Sequence, residues 1–342
     1  MSSEPSSRDA ARSPGKVVQV GKYTVVAHVA TGGMGAVYRA TDTETGREVA
    51  LKVLNPKSAQ RAESLQRFHR EAHNAAQLRH ENIVTVYEVG EYKSVIYLAM
   101  EFIDGIDLHD HITKLGRLEV EEARLITLQA ARALAHAHKR GVIHRDIKPS
   151  NFLLSRQGDR LLVKLTDFGL SRQASDDEFR VTREGFTVGT IDYISPEQAR
   201  DSASADVRSD LYSLGCSLYH MLTGEPPFPS GGLAERIYKH MEVPPADIRE
   251  VRPDVPAPLW FILKKMLAKK PVDRFQTPKE LIQALNHLDD PQLAHLDEPE
   301  VNTLRTEVTE LKGPRLKPSA TLASAIDALA PTPSAPKPPP RV

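Results

Sequence analysis

A two-lobed α+β fold is what the sequence predicts, strand-rich in its first part and helical in its second. Three observations carry this. Up to Phe102, runs rich in β-branched residues alternate with Gly- and Asp-containing turns. Beyond Asp107, apolar residues recur at helical spacing. A single helical pattern, Ser58–Leu78, interrupts the strands before that change.

The elements follow in order. Tyr23–Ala30, Gly35–Thr41 and Arg47–Leu54 read as strands, the last two joined by an Asp-Thr-Glu-Thr-Gly turn. In Ser58–Leu78, Leu65, Phe68, Ala72 and Ala75 share one helical face. Strands Ile83–Gly90 and Ser94–Phe102 come next. Glu121–Arg140 is an amphipathic helix that stops at Gly141. Short strands at Phe152–Leu154 and Leu161–Leu165 precede helices at Ser209–Leu222, Gly232–Lys239, Pro258–Ala268 and Thr277–Leu288. Residues 1–20 form a polar tail. Residues 291–342 form a Pro-rich one, with six prolines among the last twelve positions, a composition that favours extended chain and buries no core. The domain is therefore expected at 21–290, with lobes at 21–103 and 104–290. Ligand sites favour such a junction.

Composition narrows the function. The 342 residues hold 45 Lys+Arg against 45 Asp+Glu, a balance that argues against a dedicated nucleic-acid binder. One cysteine, Cys216, cannot form an internal disulfide; in its apolar setting it reads as a small buried hydrophobe. No apolar run approaches the roughly 18 residues of a membrane span, and the polar start is no secretory signal, so a cytoplasmic protein without a membrane span is expected.

Three segments carry chemistry. Ala30-Thr31-Gly32-Gly33-Met34-Gly35-Ala36-Val37 lets backbone approach a phosphate, or is a plain hairpin. Strands flank it on both sides, which disfavours the dinucleotide and Walker loops that open a helix. Lys52 ends Val49-Ala50-Leu51-Lys52, either as a solvated strand end or as a cation for anionic phosphates, and Glu71 on the helix is its natural partner. His144-Arg145-Asp146-Ile147-Lys148-Pro149-Ser150-Asn151, followed by Asp167-Phe168-Gly169, joins two carboxylates and an amide, which suits Mg²⁺ and phosphate.

Together with Ser195-Pro196-Glu197, these motifs over residues 23–288 resemble the bacterial Hanks-type serine/threonine protein kinases. The resemblance implies the bilobal protein kinase fold, with an antiparallel sheet plus one helix in the N-lobe and a mainly helical C-lobe. It implies ATP and Mg²⁺ as cofactors and protein substrates as partners. Gly32, Gly33, Met34 and Gly35 would cover the phosphates, with Val37 and Ala50 on adenine, Met100 as the gatekeeper and Leu153 as the floor of the pocket; Val29, Ala30, Thr31 and Ala36 would belong to the same nucleotide site. Glu101 and Ile103 would offer backbone hydrogen bonds, and Asp107 a ribose contact. Lys52, paired with Glu71, would hold the α/β-phosphates. Asp146 would act on the substrate hydroxyl, Lys148 would neutralise the transferred group, and Asn151 and Asp167 would hold the metal. Glu197 would pair with Arg274, and Asp210 would brace the catalytic loop.

Ala30 stands where the family has its first loop glycine. Lys148, two residues after Asp146, favours serine/threonine over tyrosine specificity. Thr182 and Thr187 are the expected phosphorylation sites in the loop 171–189, facing Arg67, Arg145 and Arg172; Thr187–Ile194 is expected to position peptides. A second copy of the chain during autophosphorylation and a partner for the Pro-rich tail complete the expected contacts. A nucleotide-binding scaffold without catalysis is the alternative; Lys52, Asp146, Asn151 and Asp167 are all retained against it. A small-molecule kinase is opposed by Ser195-Pro196-Glu197. The histidine pairs His109/His111 and His136/His138 read as solvated surface, since i, i+2 positions do not converge on a helix.

Overall fold

The computed structural model describes residues 18–32, 35–54, 72, 75–93, 95–168 and 191–288. Strands β1 (Gln19–Val20), β2 (Tyr23–Gly32), β3 (Gly35–Asp42), β4 (Glu48–Leu54), β5 (Val86–Tyr92) and β6 (Val95–Glu101) form one antiparallel sheet in the order β1-β2-β3-β4-β6-β5. A second sheet, β7 (Ile106–Asp107), β8 (Phe152–Gln157) and β9 (Arg160–Leu165), belongs to the helical part.

The helices are α1 (Leu108–Leu115), α2 (Val120–His138), α3 (Pro196–Arg200), α4 (Val207–Thr223), α5 (Leu233–Glu242), α6 (Ala257–Met266) and α7 (Pro278–Asn286). Their starts obey capping chemistry. Asp107, Ser195, Asp206 and Thr277 each accept a first-turn backbone N–H through the side chain. Helix α4 stops at Gly224 in the left-handed conformation, where a Cβ would lie 2.2 Å from the Gly116 carbonyl oxygen.

Strand alternation decides what faces the cleft. On β4, Val49 and Leu51 join Tyr23, Tyr97 and Ala99 in a small outer cluster. Ala50 and Leu54 point the other way, into the main core shared with Leu98 and Met100. Lys52 therefore falls on the inner face, and only 8% of it is exposed. The two parts of the molecule are stitched by backbone: Val84 N–H donates to the Leu165 carbonyl at 2.8 Å, and Leu165 N–H to the Asn82 carbonyl at 2.9 Å.

Several expectations need correction. The polar tail is expected to run to residue 20, yet Gln19–Val20 pairs with Tyr23–Thr24 as an edge strand. Helix α1 was not expected; its start needs only the Asp107 cap, in a stretch too short for clear periodicity. Of the helix expected at 58–78, residues 58–71, 73 and 74 lie outside the described residues; Ala72, Ala75 and Ala76 are helical, but Leu78 is already past the helix and fully buried. The histidines are only partly solvated. His109 and His138 are exposed, whereas His111 pairs with Glu122 at 3.1 Å and His136 stacks on His80, ring centroids 4.9 Å apart. Cys216 is buried, and burial pushes its thiol up to about 12, so the unreactive reading holds. Among the described residues no helix is long and apolar enough to cross a membrane.

Candidate active site

The loop between α2 and β8 is fixed from below. Asp210, in the first turn of α4, accepts His144 N–H at 2.8 Å and Arg145 N–H at 2.7 Å. Burial pushes the Asp210 carboxyl up, against the two N–H groups that favour its ionised form. His144 is fully buried; its Nδ1 accepts Asp146 N–H at 3.3 Å, so Nε2 carries the proton and donates to the Thr166 carbonyl at 2.8 Å. The Phe168 ring packs on the imidazole at 4.5 Å. One histidine thus ties the loop to the segment that carries Asp167.

Two residues here sit in the left-handed region without being glycine: Arg145, φ 67°, and Asp167, φ 62°. Each such residue costs about 1–3 kcal/mol and persists only where surroundings over-determine it. Arg145 is held on both sides, its N–H by Asp210 and its carbonyl by Gln198 Nε2 at 2.9 Å.

The polar groups converge on these two turns. Lys148 Nζ lies 2.9 Å from Asp146 Oδ2. Asn151 Nδ2 donates to the Asp146 carbonyl at 2.7 Å and to Asp146 Oδ2 at 3.2 Å, and Asn151 O accepts Thr166 N–H at 3.0 Å. Across the cleft, Lys52 Nζ lies 2.7 Å from Asp167 Oδ1. Burial alone would push the Asp167 carboxyl up; the Lys52 charge and hydrogen bond, with His144 and Lys148, overcome it and hold Asp167 below its ordinary value. Asp167 is thus an anion, and Asn151, its amide nitrogen spent on Asp146, keeps its carbonyl oxygen. One carboxylate and one amide oxygen are hard donors that suit Mg²⁺, which takes few protein ligands beside phosphates.

Beside this polar end lies an apolar slot. Ala50 and Met100 are buried and directly paired across β4 and β6; Val37, Ile103 and Leu153 are half-buried and pack on the same core. Asp107 pairs with Leu153 across β7 and β8 and spends Oδ1 on the Asp110 N–H. Glu101 has its carboxylate pinned by Lys164 Nζ at 3.0 Å and by Thr85 N–H at 3.1 Å, and its own N–H goes to the Thr85 carbonyl. Over the slot, β2 and β3 pair as far as Gly32 and Gly35, with Ala30 opposite Val37 and Thr31 opposite Ala36. Val29, Ala30 and Thr31 are exposed. Gly35 has φ 150°, and a Cβ there would lie 2.0 Å from the Val53 carbonyl oxygen, so the turn requires glycine.

The structure brings together Lys52, Asp146, Lys148, Asn151 and Asp167, with Val37, Ala50, Met100, Ile103 and Leu153 alongside. Gly33, Met34, Glu71, Arg67, Arg172, Thr182 and Thr187 lie outside the described residues. The expected braces are present: Arg274 forks onto Glu197 at 2.7 and 2.9 Å. Sequence reasoning missed Gln198 and the Lys164–Glu101 tie. Gln198 was legible, because Ser195-x-x-Gln198 is a capping-box pattern; a lysine on a short strand gave no signal of its own.

Comparison with known proteins agrees with this geometry. The family described as protein kinase domain matches residues 23–288. The serine/threonine-protein kinase PknB of Mycobacterium tuberculosis is 37% identical over 296 residues, 84% of this chain and 47% of that protein. PrkC of Bacillus subtilis, also a serine/threonine-protein kinase, is 37% identical over 261 residues, 76% of this chain and 39% of that protein. The crystal structure of the Mycobacterium tuberculosis PknI kinase domain superposes with a TM-score of 0.63 at 32% identity, covering 79% of this chain and 98% of that one. The chain spans less than half the length of the curated relatives it matches.

Proposed function

Because the chain belongs to the protein kinase family, and within it to the bacterial Hanks-type serine/threonine kinases, we propose that its cleft transfers the γ-phosphoryl group of ATP to serine or threonine hydroxyls of proteins. The observation that carries this reading is the chain of contacts from Lys52 through Asp167 on one side and from Asn151 through Asp146 to Lys148 on the other.

Adenine lies in the slot of Val37, Ala50, Met100, Ile103 and Leu153, hydrogen-bonded by the backbone at Glu101 and Ile103. The spare oxygen of Asp107 takes the ribose. The β2–β3 turn, Val29 to Ala36, covers the phosphates, and Lys52 neutralises their charge with Glu71 as its partner. Asp167 and Asn151 would hold Mg²⁺, which would supply positive charge against the phosphates. Asp146 orients the attacking hydroxyl and takes its proton; Lys148, 2.9 Å from that carboxylate, holds the transferred group's charge. Positioning and fixed charge supply most of the rate. Chemistry on ATP and a lone buried thiol suit the cytoplasm.

Phosphate on Thr182 or Thr187, placed by a second copy of the chain, completes activation through Arg67, Arg145 and Arg172. The Pro-rich tail recruits a partner domain. Incubation with ATP and Mg²⁺, followed by intact-mass analysis and peptide mapping, tests this. Phosphate is expected on Thr182 or Thr187 and is abolished by EDTA. Protein phosphorylation with an unmodified loop would refute loop activation.

A further inference from the structure

The short turn Ile191–Tyr193 and the residues that lead from it into α3 are suspended between two supports. At the far end of the segment, Gln198 reaches the carbonyl of Arg145, the residue before Asp146. At the near end, Tyr193 shares a 2.7 Å hydrogen bond with His220 of α4. Next to Tyr193, Arg236 of α5 grips Asp192, Nη1 to Oδ1 at 2.5 Å, with both side chains only 16% exposed.

Helix α5 is itself a fixed support. His240, one turn beyond Arg236 and fully buried, bonds Tyr212 of α4 at 3.0 Å. Lys269 caps its last turn through the Lys239 and His240 carbonyls at 3.2 and 2.9 Å. The Arg236 side chain is costly to hold where it is, because its Nε is buried with no partner among the described residues. Burial pushes the Asp192 carboxyl above its ordinary value even with Arg236 beside it. A pair that is this expensive and this well braced transmits position more than it adds stability.

We propose that Arg236 is a positioning residue for the protein substrate: through Asp192 it sets the 191–198 segment, and thereby where an acceptor peptide lies relative to Asp146. The residues lining the nucleotide slot sit on β3, β4, β6, β8 and the connection from β6 to β7, whereas this linkage joins Ile191–Tyr193, α4 and α5. Loss of Arg236 should therefore act on the peptide and spare ATP. It also leaves Asp192 without its counter-charge, so that a basic residue flanking the acceptor hydroxyl can take the place of Arg236 as its partner.

The inference rests on the phosphoryl-transfer reading above. The test measures peptide KM, ATP KM, kcat and peptide-free ATP hydrolysis for wild-type, Arg236→Met, Arg236→Lys and Asp192→Asn chains. Acceptor peptides carry Lys, Ala or Glu beside the serine. Peptide KM should rise about tenfold in Arg236→Met and by less in Arg236→Lys. ATP KM and peptide-free hydrolysis should stay at wild-type levels, and lysine-flanked peptides should suffer least. Should Arg236→Met fail to fold, the near-isosteric Asp192→Asn carries the same KM prediction without the gain for lysine. Unchanged peptide KM in an active wild-type background, or ATP KM rising in step, would overturn the role of Arg236. A wild-type chain that binds ATP yet phosphorylates no peptide would instead overturn the reading of the site, and this inference with it.

Discussion

The loop from His144 to Asn151 and the end of the β2–β3 ladder, to which the proposed reading gives the same reaction, are held by opposite means. The loop from His144 to Asn151 is tied by side chains to three separate elements: Asp210 of α4, the Thr166 carbonyl and Gln198 of α3. The ladder, described as far as Gly32 and Gly35, is held by backbone hydrogen bonds, with Val29 52% exposed and its side chain free of the core. Where a proton and a phosphoryl group must meet within a fraction of an ångström, the chain spends buried polar groups on fixing geometry. Where a nucleotide must enter and leave, it relies on backbone pairing and glycine.

The comparison breaks most visibly at Asp210. Asp210→Ala leaves the His144 and Arg145 amides buried without an acceptor, each orphan costing about 1–3 kcal/mol. The melting temperature should fall by many degrees, and kcat per folded molecule by about 10²-fold, with ATP KM nearly unchanged. Calorimetry and steady-state kinetics on the same preparation check this, and a large rise in ATP KM would show that the loop and the ladder end are not independent.

Acid should attack the pinned half next. Burial lowers His220 to about 4 and His240 to about 3, and each ring is hydrogen-bonded to a tyrosine hydroxyl. Both folded pKa values lie below the unfolded value near 6.5, so unfolding takes up protons in that interval. The stability they confer is complete above about pH 6.5. It declines as pH falls toward 4, by about 1.4 kcal/mol per pH unit for each group. A melting series from pH 8 to pH 4 should be flat and then descend, and the His220→Asn, His240→Asn double variant should flatten the descent.

The smallest effect is expected at the ladder end. Ala30 stands opposite Val37 as an exposed strand residue. Ala30→Gly should change ATP KM and kcat by about twofold at most, as surface substitutions generally do. A much larger response in nucleotide kinetics would mean that the ladder end is as tightly set as the loop.

Much of this contrast was legible in the sequence, and unevenly. The candidate residues of the loop stand out because phosphate and metal chemistry admits few side chains at fixed spacing: Asp146, Asn151 and Asp167 are picked out by type and interval, and Lys148 by the family resemblance. The strands of the first sheet other than β1 were found within two or three residues of their ends, since β-branched runs broken by turns have few other readings. What holds the loop was harder. By spacing alone Asp210 is one more polar residue on an apolar helix; the family resemblance assigned it to the loop, and the fold places it beneath two backbone amides. Lys164 and Glu101 lie sixty-three residues apart, and only the packing of β9 against the end of β6 makes them partners. Arg236 and Asp192 likewise meet through tertiary structure, with no local pattern to betray them.

Asp146→Asn tests the central claim most directly, because it changes one oxygen of the group assigned to the substrate hydroxyl and leaves Lys52, Asp167 and the nucleotide slot as they are. Transfer of labelled phosphate from ATP to a serine- or threonine-containing protein should fall by about 10²–10⁴-fold, while the affinity for ATP with Mg²⁺, measured by calorimetric titration, should remain at the wild-type value. Full transfer activity in the purified variant, or loss of nucleotide binding together with activity, would contradict the account.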